Sequence, residues 1–427
     1  VSARMLATGD ELAPLDDAEV EEIGRSLTAA GVTSVAVCLL HAYANPDHER
    51  RIGEILSKTC PEVFVTLSHE ILREYREYER TSTTALNAYV GPRVRGYLDR
   101  LKGFLGDRDF DGNIQIMRSN GGTMSLGQAR VQPVTMMESG PVAGMIAAGR
   151  VAEALGIEQC IGFDMGGTTA KASLITDGAP EVSEDYYIGG YARGQPMQLP
   201  VVDIVEVGAG GGSIAWTDAR GGLHVGPESA GAVPGPACYG QGGDAPTVTD
   251  ANVVLGKIEP ADFAGGTVKL DPVLSADAID RDVGAPLSLS TTDAAFGIAE
   301  VVEENMANAA RVHAVERGKE VRGRTLVAFG GAAPLHAARL AAKLDIDEVV
   351  VPVAAGVGSA VGFLQAPVAY EVVRSRYMPL DRQFDAAMLN ALYVEMRGEA
   401  EAVVAAAAPG VDLVETRTAD MRYCGQG

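Results

Sequence analysis

Cys160-Ile161-Gly162-Phe163-Asp164-Met165-Gly166-Gly167-Thr168-Thr169-Ala170-Lys171 carries an apolar run into an acidic residue and then into a double glycine. A short strand here delivers Asp164 to its tip. Gly166 and Gly167 then let the backbone turn closely enough for successive N–H groups, and the hydroxyls of Thr168 and Thr169, to face a phosphate. The alternation that follows, Ala172, Leu174 and Thr176 against Ser173 and Ile175, suits a second strand returning from a hairpin. A plain glycine turn between two strands is the alternative reading of the same residues. No GxxxxGK[ST] occurs, and no helix-opening GxGxxG follows a first strand, so neither a P-loop nor a Rossmann fingerprint is present.

Two more glycine segments extend the pattern. Val207-Gly208-Ala209-Gly210-Gly211-Gly212-Ser213 follows the β-branched run Val201-Val202-Asp203-Ile204-Val205-Glu206, which sets two carboxylates beside an amide-rich loop. Such a loop either wraps phosphate oxygens at Gly210, Gly211 and Gly212 or forms a glycine bulge or hinge. Asp203 or Glu206 could orient Mg2+ through water, because that ion keeps several waters and takes few carboxylates. The other segment is Leu326-Val327-Ala328-Phe329-Gly330-Gly331-Ala332-Ala333-Pro334-Leu335-His336, a strand entering a double glycine and then a helix through Ala342. Gly330, Gly331 and Ala332 would let a flat adenosine approach the backbone, with a helix N-terminus favouring anions nearby. His336, in the first turn, is either a site residue or a packed or capping histidine.

Around these segments the chain alternates strands and helices, the pattern of an α/β fold. Helices are expected over Ala18 to Ala30, Pro46 to Cys60 and Val142 to Leu155, with strands at Val35 to Leu40 and Ile114 to Met117. Residues 70 to 103 read as a long charged helical stretch broken at Gly91-Pro92, with Arg80 either an interdomain partner or a solvated charge. Ser139-Gly140-Pro141 opens its helix either as a second anion site or for close packing around Gly144. Residues 220 to 247, rich in glycine and proline, are expected to be a loop-dominated insertion, a lid or a subunit contact. Cys238 lies within it, read as packing rather than as a nucleophile. From Asp293 to Gly318, apolar residues at Ile298, Val301, Val302, Met306, Ala309 and Val312 mark a buried helix face. The division expected is 1–78, the end of a first lobe; 79–110, a helical connector; 111–370, the main lobe; and 371–427, the start of a further domain.

Composition bounds the function class. With 47% apolar residues in 427, the chain can build two or more cores. Its formal charge of −22, from 35 basic and 57 acidic residues, argues against a nucleic-acid or anionic-membrane partner. The longest apolar runs are far shorter than the ~20 residues that span a bilayer. Cys38, Cys60, Cys160, Cys238 and Cys424 are scattered without CxxC spacing, as in a reduced cytoplasmic protein. There is no GxSxG elbow and no HExxH motif, and His41 and His48 read as packing or surface residues rather than a metal pair.

The strand-turn-strand with Asp-x-Gly-Gly-Thr resembles the phosphate turn of the actin, sugar-kinase and heat-shock ATPase superfamily, a ribonuclease H-like α/β fold of two lobes. More specifically, the chain from about Ala30 to Tyr377 resembles the hydantoinase A / 5-oxoprolinase family, which also includes nucleotide-handling subunits of acetone and acetophenone carboxylases. The resemblance rests on blocks in one order. These are Cys38 to Pro46, Glu77 to Thr84, Arg118 to Gly122, Ser139 to Gly144, Asp164 to Lys171, Gly208 to Ser213, Pro234 to Gly240 and Phe329 to His336. Thr169-Ala170-Lys171 and Asp203 to Glu206 look closer to hydantoin-utilisation and carboxylase-like members than to oxoprolinases. The resemblance implies ATP and Mg2+ as cofactors and a cyclic amide, hydantoin or ketone as substrate. It implies phosphorylation of the substrate carbonyl oxygen and a hydantoinase B-like partner subunit. Asp164 would organise the metal, with Asp203 and Glu206 beside it. It also implies an Asp-x-Gly-Gly-Thr-Phe-Thr-Asp hairpin ahead of residue 1, so the first lobe is expected to be incomplete and the chain a piece of a longer protein.

Overall fold

The computed structural model describes residues 1–189, 194–381 and 384–423; Cys424 lies outside them. Two compact units share the chain. The first comprises Val1–Ser139, Ser183–Val201 and Pro367–Gly427; the second comprises Gly140–Val182 and Val202–Ala366. The segment expected over 111–370 is therefore divided between them.

In the first unit the parallel strands Ser34–Val37 and Phe64–Leu67 are joined through the helix Asp47–Thr59. Ile52, Ile55 and Leu56 close that helix onto Val20, Val37 and Leu67 in one apolar cluster. The expected break at Gly91-Pro92 does not occur: one helix runs from Glu77 to Gly106 with Pro92 inside it. A proline there costs about 3 kcal/mol in a helix interior, and tertiary packing offsets it. A Cβ on Gly91 would lie 2.2 Å from the Phe64 ring, so the glycine admits that ring. One turn earlier, the Asn87 side chain donates to Thr66 Oγ1 and the Val131 carbonyl and accepts from the Val134 amide. Arg80 is not solvated. It is fully buried, donating to the carbonyls of Glu74 at 2.6 Å and Leu39 at 2.9 Å with its guanidinium over the Tyr43 ring.

The second unit is built on a six-stranded sheet. Along it lie Val205–Val207, Ala170–Thr176, Gln159–Met165, Thr325–Phe329 and Val349–Val350 in that order, with Ala179–Pro180 beside Ala170–Thr176. Both faces of the central strands are covered, which is why those strands read as near-continuous apolar runs. Ile161, Phe163 and Met165 join the cluster of Ile298, Val302 and Met306 from the helix Thr291–Glu316. On the other face Gly162 admits Met145, and Gly144 admits Phe329, of which a Cβ would stand 2.2 Å away. Close packing therefore accounts for Gly144 in the helix Ser139–Leu155.

The insertion over 220–247 is not all loop. Leu223–Ser229 pairs antiparallel with Ser213–Thr217, and His224 stacks on Trp216 with ring centroids 4.4 Å apart. The end of the insertion is pinned by Asp250, fully buried, whose carboxylate accepts from the amides of Ala237, Cys238 and Thr247 and from the hydroxyls of Thr247 and Ser275. Thr247 and Asp250 also form the capping box of the helix Val248–Val254. Asp250→Ala strands five buried donors. Chemical denaturation is expected to show a loss of at least about 3 kcal/mol. An unchanged midpoint would mean that the donors find water or other acceptors. No helix among the described residues is long and apolar enough to cross a membrane.

Candidate functional site

The hairpin at Asp164 forms as the sequence predicts. Gln159–Met165 and Ala170–Thr176 pair in antiparallel register, Asp164 opposite Lys171 and Met165 opposite Ala170, leaving Gly166–Thr169 as the turn. The parallel strand Thr325–Phe329 lies on the other side, with Phe329 level with Asp164. Parallel pairing of these two strands brings both glycine pairs to the same end of the sheet. The third glycine segment reaches the turn through the neighbouring strand Val205–Val207, in which Glu206 faces Lys171.

Contact among the three segments is close, and much of it is backbone to backbone. A Cβ on Gly210 would sit 2.5 Å from the Thr168 backbone, and one on Gly330 would sit 2.3 Å from Asp164 Oδ1. Gly211 N–H donates to the Gly166 carbonyl at 3.0 Å, and Gly212 N–H donates to the Gly167 carbonyl at 2.6 Å. These two amides build the site and do not point at a ligand, contrary to the expected wrapping loop. Ala332 N–H donates to the Met165 carbonyl and is likewise committed. The amides of Gly167, Thr168, Thr169 and Gly331, by contrast, have no acceptor among the described residues, and Gly167, Thr168 and Gly331 are exposed. Thr249 was not legible as part of the site. Its amide and hydroxyl both donate to the Gly211 carbonyl, holding the glycine loop against the turn.

The three acidic candidates have different fates. Asp164 is half-buried, and burial pushes its carboxyl above the ordinary value against the opposing pull of Lys171. No protein donor among the described residues hydrogen-bonds its carboxylate. Glu206 accepts from Lys171 Nζ at 2.8 Å; although burial pushes it up, that bond leaves its carboxyl below the usual value. Lys171 Nζ also donates to Thr169 Oγ1 at 2.5 Å, so the ammonium braces the turn. Asp203 lies outside the site: the β-branched run splits, with Val202 ending one strand and Val205 opening the next. Its two oxygens take the Arg317 guanidinium at 2.5 and 2.9 Å.

His336 is packed. Fully buried, it contacts Glu303 Oε1 through Nδ1 at 2.9 Å and Asn252 Nδ2 through Nε2 at 3.0 Å. With Nδ1 protonated towards the carboxylate and Nε2 accepting from the amide, both contacts are satisfied. Cys238 is buried beside Asp250, and burial with that neighbouring carboxylate pushes its thiol far up, opposite to what a nucleophile needs. His48 meets Glu11 at 2.7 Å, and among the described residues no group of three or more His, Cys, Asp or Glu could hold a metal ion. The donor set near the turn is thus one free carboxylate with exposed amides. It fits a hydrated Mg2+, which takes one or two carboxylates and keeps its waters, with Asp164 as the residue that would hold it.

Residues 80–372 match the Hydantoinase/oxoprolinase family model, and residues 1–60 match the Hydantoinase/oxoprolinase N-terminal region. The chain belongs to the hydantoinase/oxoprolinase family. Among curated proteins, this family member is 35% identical to the caprolactamase subunit alpha of Pseudomonas jessenii over 93% of this chain and 57% of the relative. It is 34% identical to the acetophenone carboxylase gamma subunit of Aromatoleum aromaticum over 88% of this chain and 52% of the relative. The crystal structure of the ATP-dependent caprolactamase from Pseudomonas jessenii superposes with a TM-score of 0.81 at 33% identity, covering 96% of this chain and 59% of that one. The mixed α/β fold is therefore shared with that enzyme, and the chain spans little more than half the length of these relatives.

Proposed function

We propose that this chain belongs to the nucleotide-handling subunit of an ATP-dependent cyclic amide hydrolase, which phosphorylates the carbonyl oxygen of its substrate. The observation that carries this reading is the convergence of three glycine segments on Asp164, whose carboxylate has no protein donor among the described residues and borders a row of amides likewise without acceptors there. Mg-ATP would supply the phosphoryl group and the charge that makes an unstrained amide carbonyl reactive. Asp164 holds the hydrated metal, and Gly167, Thr168 and Thr169 present preorganised N–H groups to phosphate oxygens, the main way proteins assist such transfers. Glu206 and Lys171 keep Thr169 in place, and Gly331 leaves open space for an adenosine. Placing the second unit among the actin-like, sugar-kinase and heat-shock ATPase folds is part of this reading.

Similarity to a caprolactamase subunit supports a lactam or hydantoin as substrate and a hydantoinase B-like subunit as partner. Similarity to an acetophenone carboxylase subunit supports a second reading, in which the same phosphorylation activates a ketone for carboxylation. Phosphate release by the full-length subunit with its partner distinguishes them, using caprolactam, hydantoin, 5-oxoproline, and acetone or acetophenone with bicarbonate. Phosphate released in step with a ring-opened acid is the expected result, and phosphate released in step with a β-keto acid selects the carboxylase. A stable phosphorylated product would make the protein a small-molecule kinase. Binding without turnover would make it a scaffold, and failure to bind Mg-ATP at all overturns the reading.

A further inference from the structure

In the first unit, far along the sequence from the glycine turns, Arg73, Arg118 and Arg374 line one cavity of about 60 Å3 together with Gln132, Tyr370 and four glutamates. A water occupies roughly 10–15 Å3 of such space, so the cavity has room for several waters or one small anion. Its three cations are not equivalent. Arg374 is paired with Glu399 and lies 4.0 Å from Glu395, and Arg73 is 3.6 Å from Glu395. Arg118 has no carboxylate. Only 5% exposed, it leaves Nε and Nη1 without an acceptor among the described residues, with the Tyr370 ring 5.1 Å from its guanidinium. Nε of Arg73 and Nε of Arg374 are also buried without an acceptor.

A buried guanidinium that lacks hydrogen-bond partners is strongly unfavourable, and clustering three multiplies the penalty unless negative charge enters among them. Burial accordingly holds Arg118 below its ordinary pKa despite Tyr370 and Glu371, and Arg374 adds to the depression of Arg73 after burial. None of the four glutamates lining the cavity forms an ion pair with Arg118 among the described residues: Glu399 is taken by Arg374, Glu74 accepts from Gln198, and Glu70 and Glu371 are exposed, Glu371 offsetting only part of the burial. The Ser119–Gly122 turn next to Arg118 is tied down by its own bonds, Ser119 Oγ to the Thr135 and Met137 carbonyls and Gly122 N–H to Asn120 Oδ1. Arg118 therefore sits on a fixed support.

We propose that this cavity binds a small oxyanion, a carboxylate or a group the size of inorganic phosphate, with Arg118 as its principal ligand and Arg73 and Arg374 as flanking donors. Guanidinium groups are suited to both anions because their planar fork matches two oxygens at once. The site stands apart from the phosphate reading of the glycine turns and does not depend on it.

Calorimetric titration of the protein with acetate and, separately, with inorganic phosphate at constant ionic strength tests the proposal. One saturable site is expected for at least one of them, and which anion wins identifies the source. Arg118→Gln is expected to weaken that binding by roughly tenfold or more, and Arg118→Lys, which keeps the charge but loses the fork, by several-fold. Phosphate held at the glycine turn would be indifferent to both changes and sensitive to Asp164→Asn. If Arg118→Gln does not fold, the comparison of wild type with Arg118→Lys decides. No saturation by either anion, or saturation unchanged in the Arg118 variants, overturns the site.

Discussion

Asp164→Asn is expected to abolish measurable Mg-ATP binding and, in the same protein, to raise the melting temperature of the nucleotide-free form. The first effect follows from removing the carboxylate beside the turn that has no donor among the described residues; a loss of roughly 100-fold corresponds to about 2.8 kcal/mol. The second follows from the direction of its pKa. Burial raises the Asp164 carboxyl above its unfolded value, and Lys171 offsets this only in part. A group whose folded pKa is raised binds its proton more tightly in the folded state, so stability falls as pH rises from the unfolded value through the folded one. Above the unfolded value Asp164 is therefore a destabilising residue in the nucleotide-free protein. A neutral amide of nearly the same shape relieves this, the usual stability cost of a functional group. Calorimetry with Mg-ATP and a thermal melt without it measure both effects. Unchanged nucleotide affinity would remove Asp164 from the site. A lower melting temperature would show that its carboxylate is a structural acceptor.

Gly330→Ala should be among the most damaging single-methyl additions near the site, while Gly331→Ala, one residue on, should leave stability nearly unchanged. Gly330 has a φ of +95°, and a Cβ would lie 2.3 Å from Asp164 Oδ1, 2.6 Å from the Met165 carbonyl and 3.0 Å from the Met165 nitrogen. Left-handed backbone costs an ordinary residue roughly 1–2 kcal/mol, and overpacking costs typically about 1–3 kcal/mol. Denaturant unfolding should therefore show a loss of about 2–5 kcal/mol for Gly330→Ala. Nothing lies within 4 Å of a Cβ on Gly331, so its alanine variant should stay within about 0.5 kcal/mol of wild type. The same methyl group projects into the space proposed for the adenosine, so Gly331→Ala should weaken nucleotide binding without unfolding the protein. Equal stability losses in the two variants would show that the strand end is more plastic than its contacts indicate.

Local patterns were read well where one element decides them. The strand carrying Asp164, its glycine turn, the returning strand and the buried face of Thr291–Glu316 all appear where periodicity places them, because φ/ψ preference and side-chain alternation are properties of a few consecutive residues. Even there, Val312 at the end of the apolar series is exposed, because the buried face runs on through Ala310, His313 and Ala314 and Val312 lies off it. At Pro92 a local rule yields to a tertiary contact: Phe64, distant in sequence, packs where Gly91 leaves room, and the helix continues.

The sequence alone determined that an α/β chain of the hydantoinase/oxoprolinase family presents Asp164 on a glycine hairpin, because strand period, turn chemistry and ordered motifs are all written along the chain. Only the tertiary structure decided which polar groups are free and which are committed. Gly211 and Gly212 give their amides to the Asp164 hairpin, Asp203 takes Arg317, Arg80 is buried, and Arg118 is buried with Nε and Nη1 unpaired among the described residues. A charge or an amide looks the same in sequence whether it faces water, a carbonyl or an empty cavity, and its fate is set by partners brought together from distant positions when the core closes.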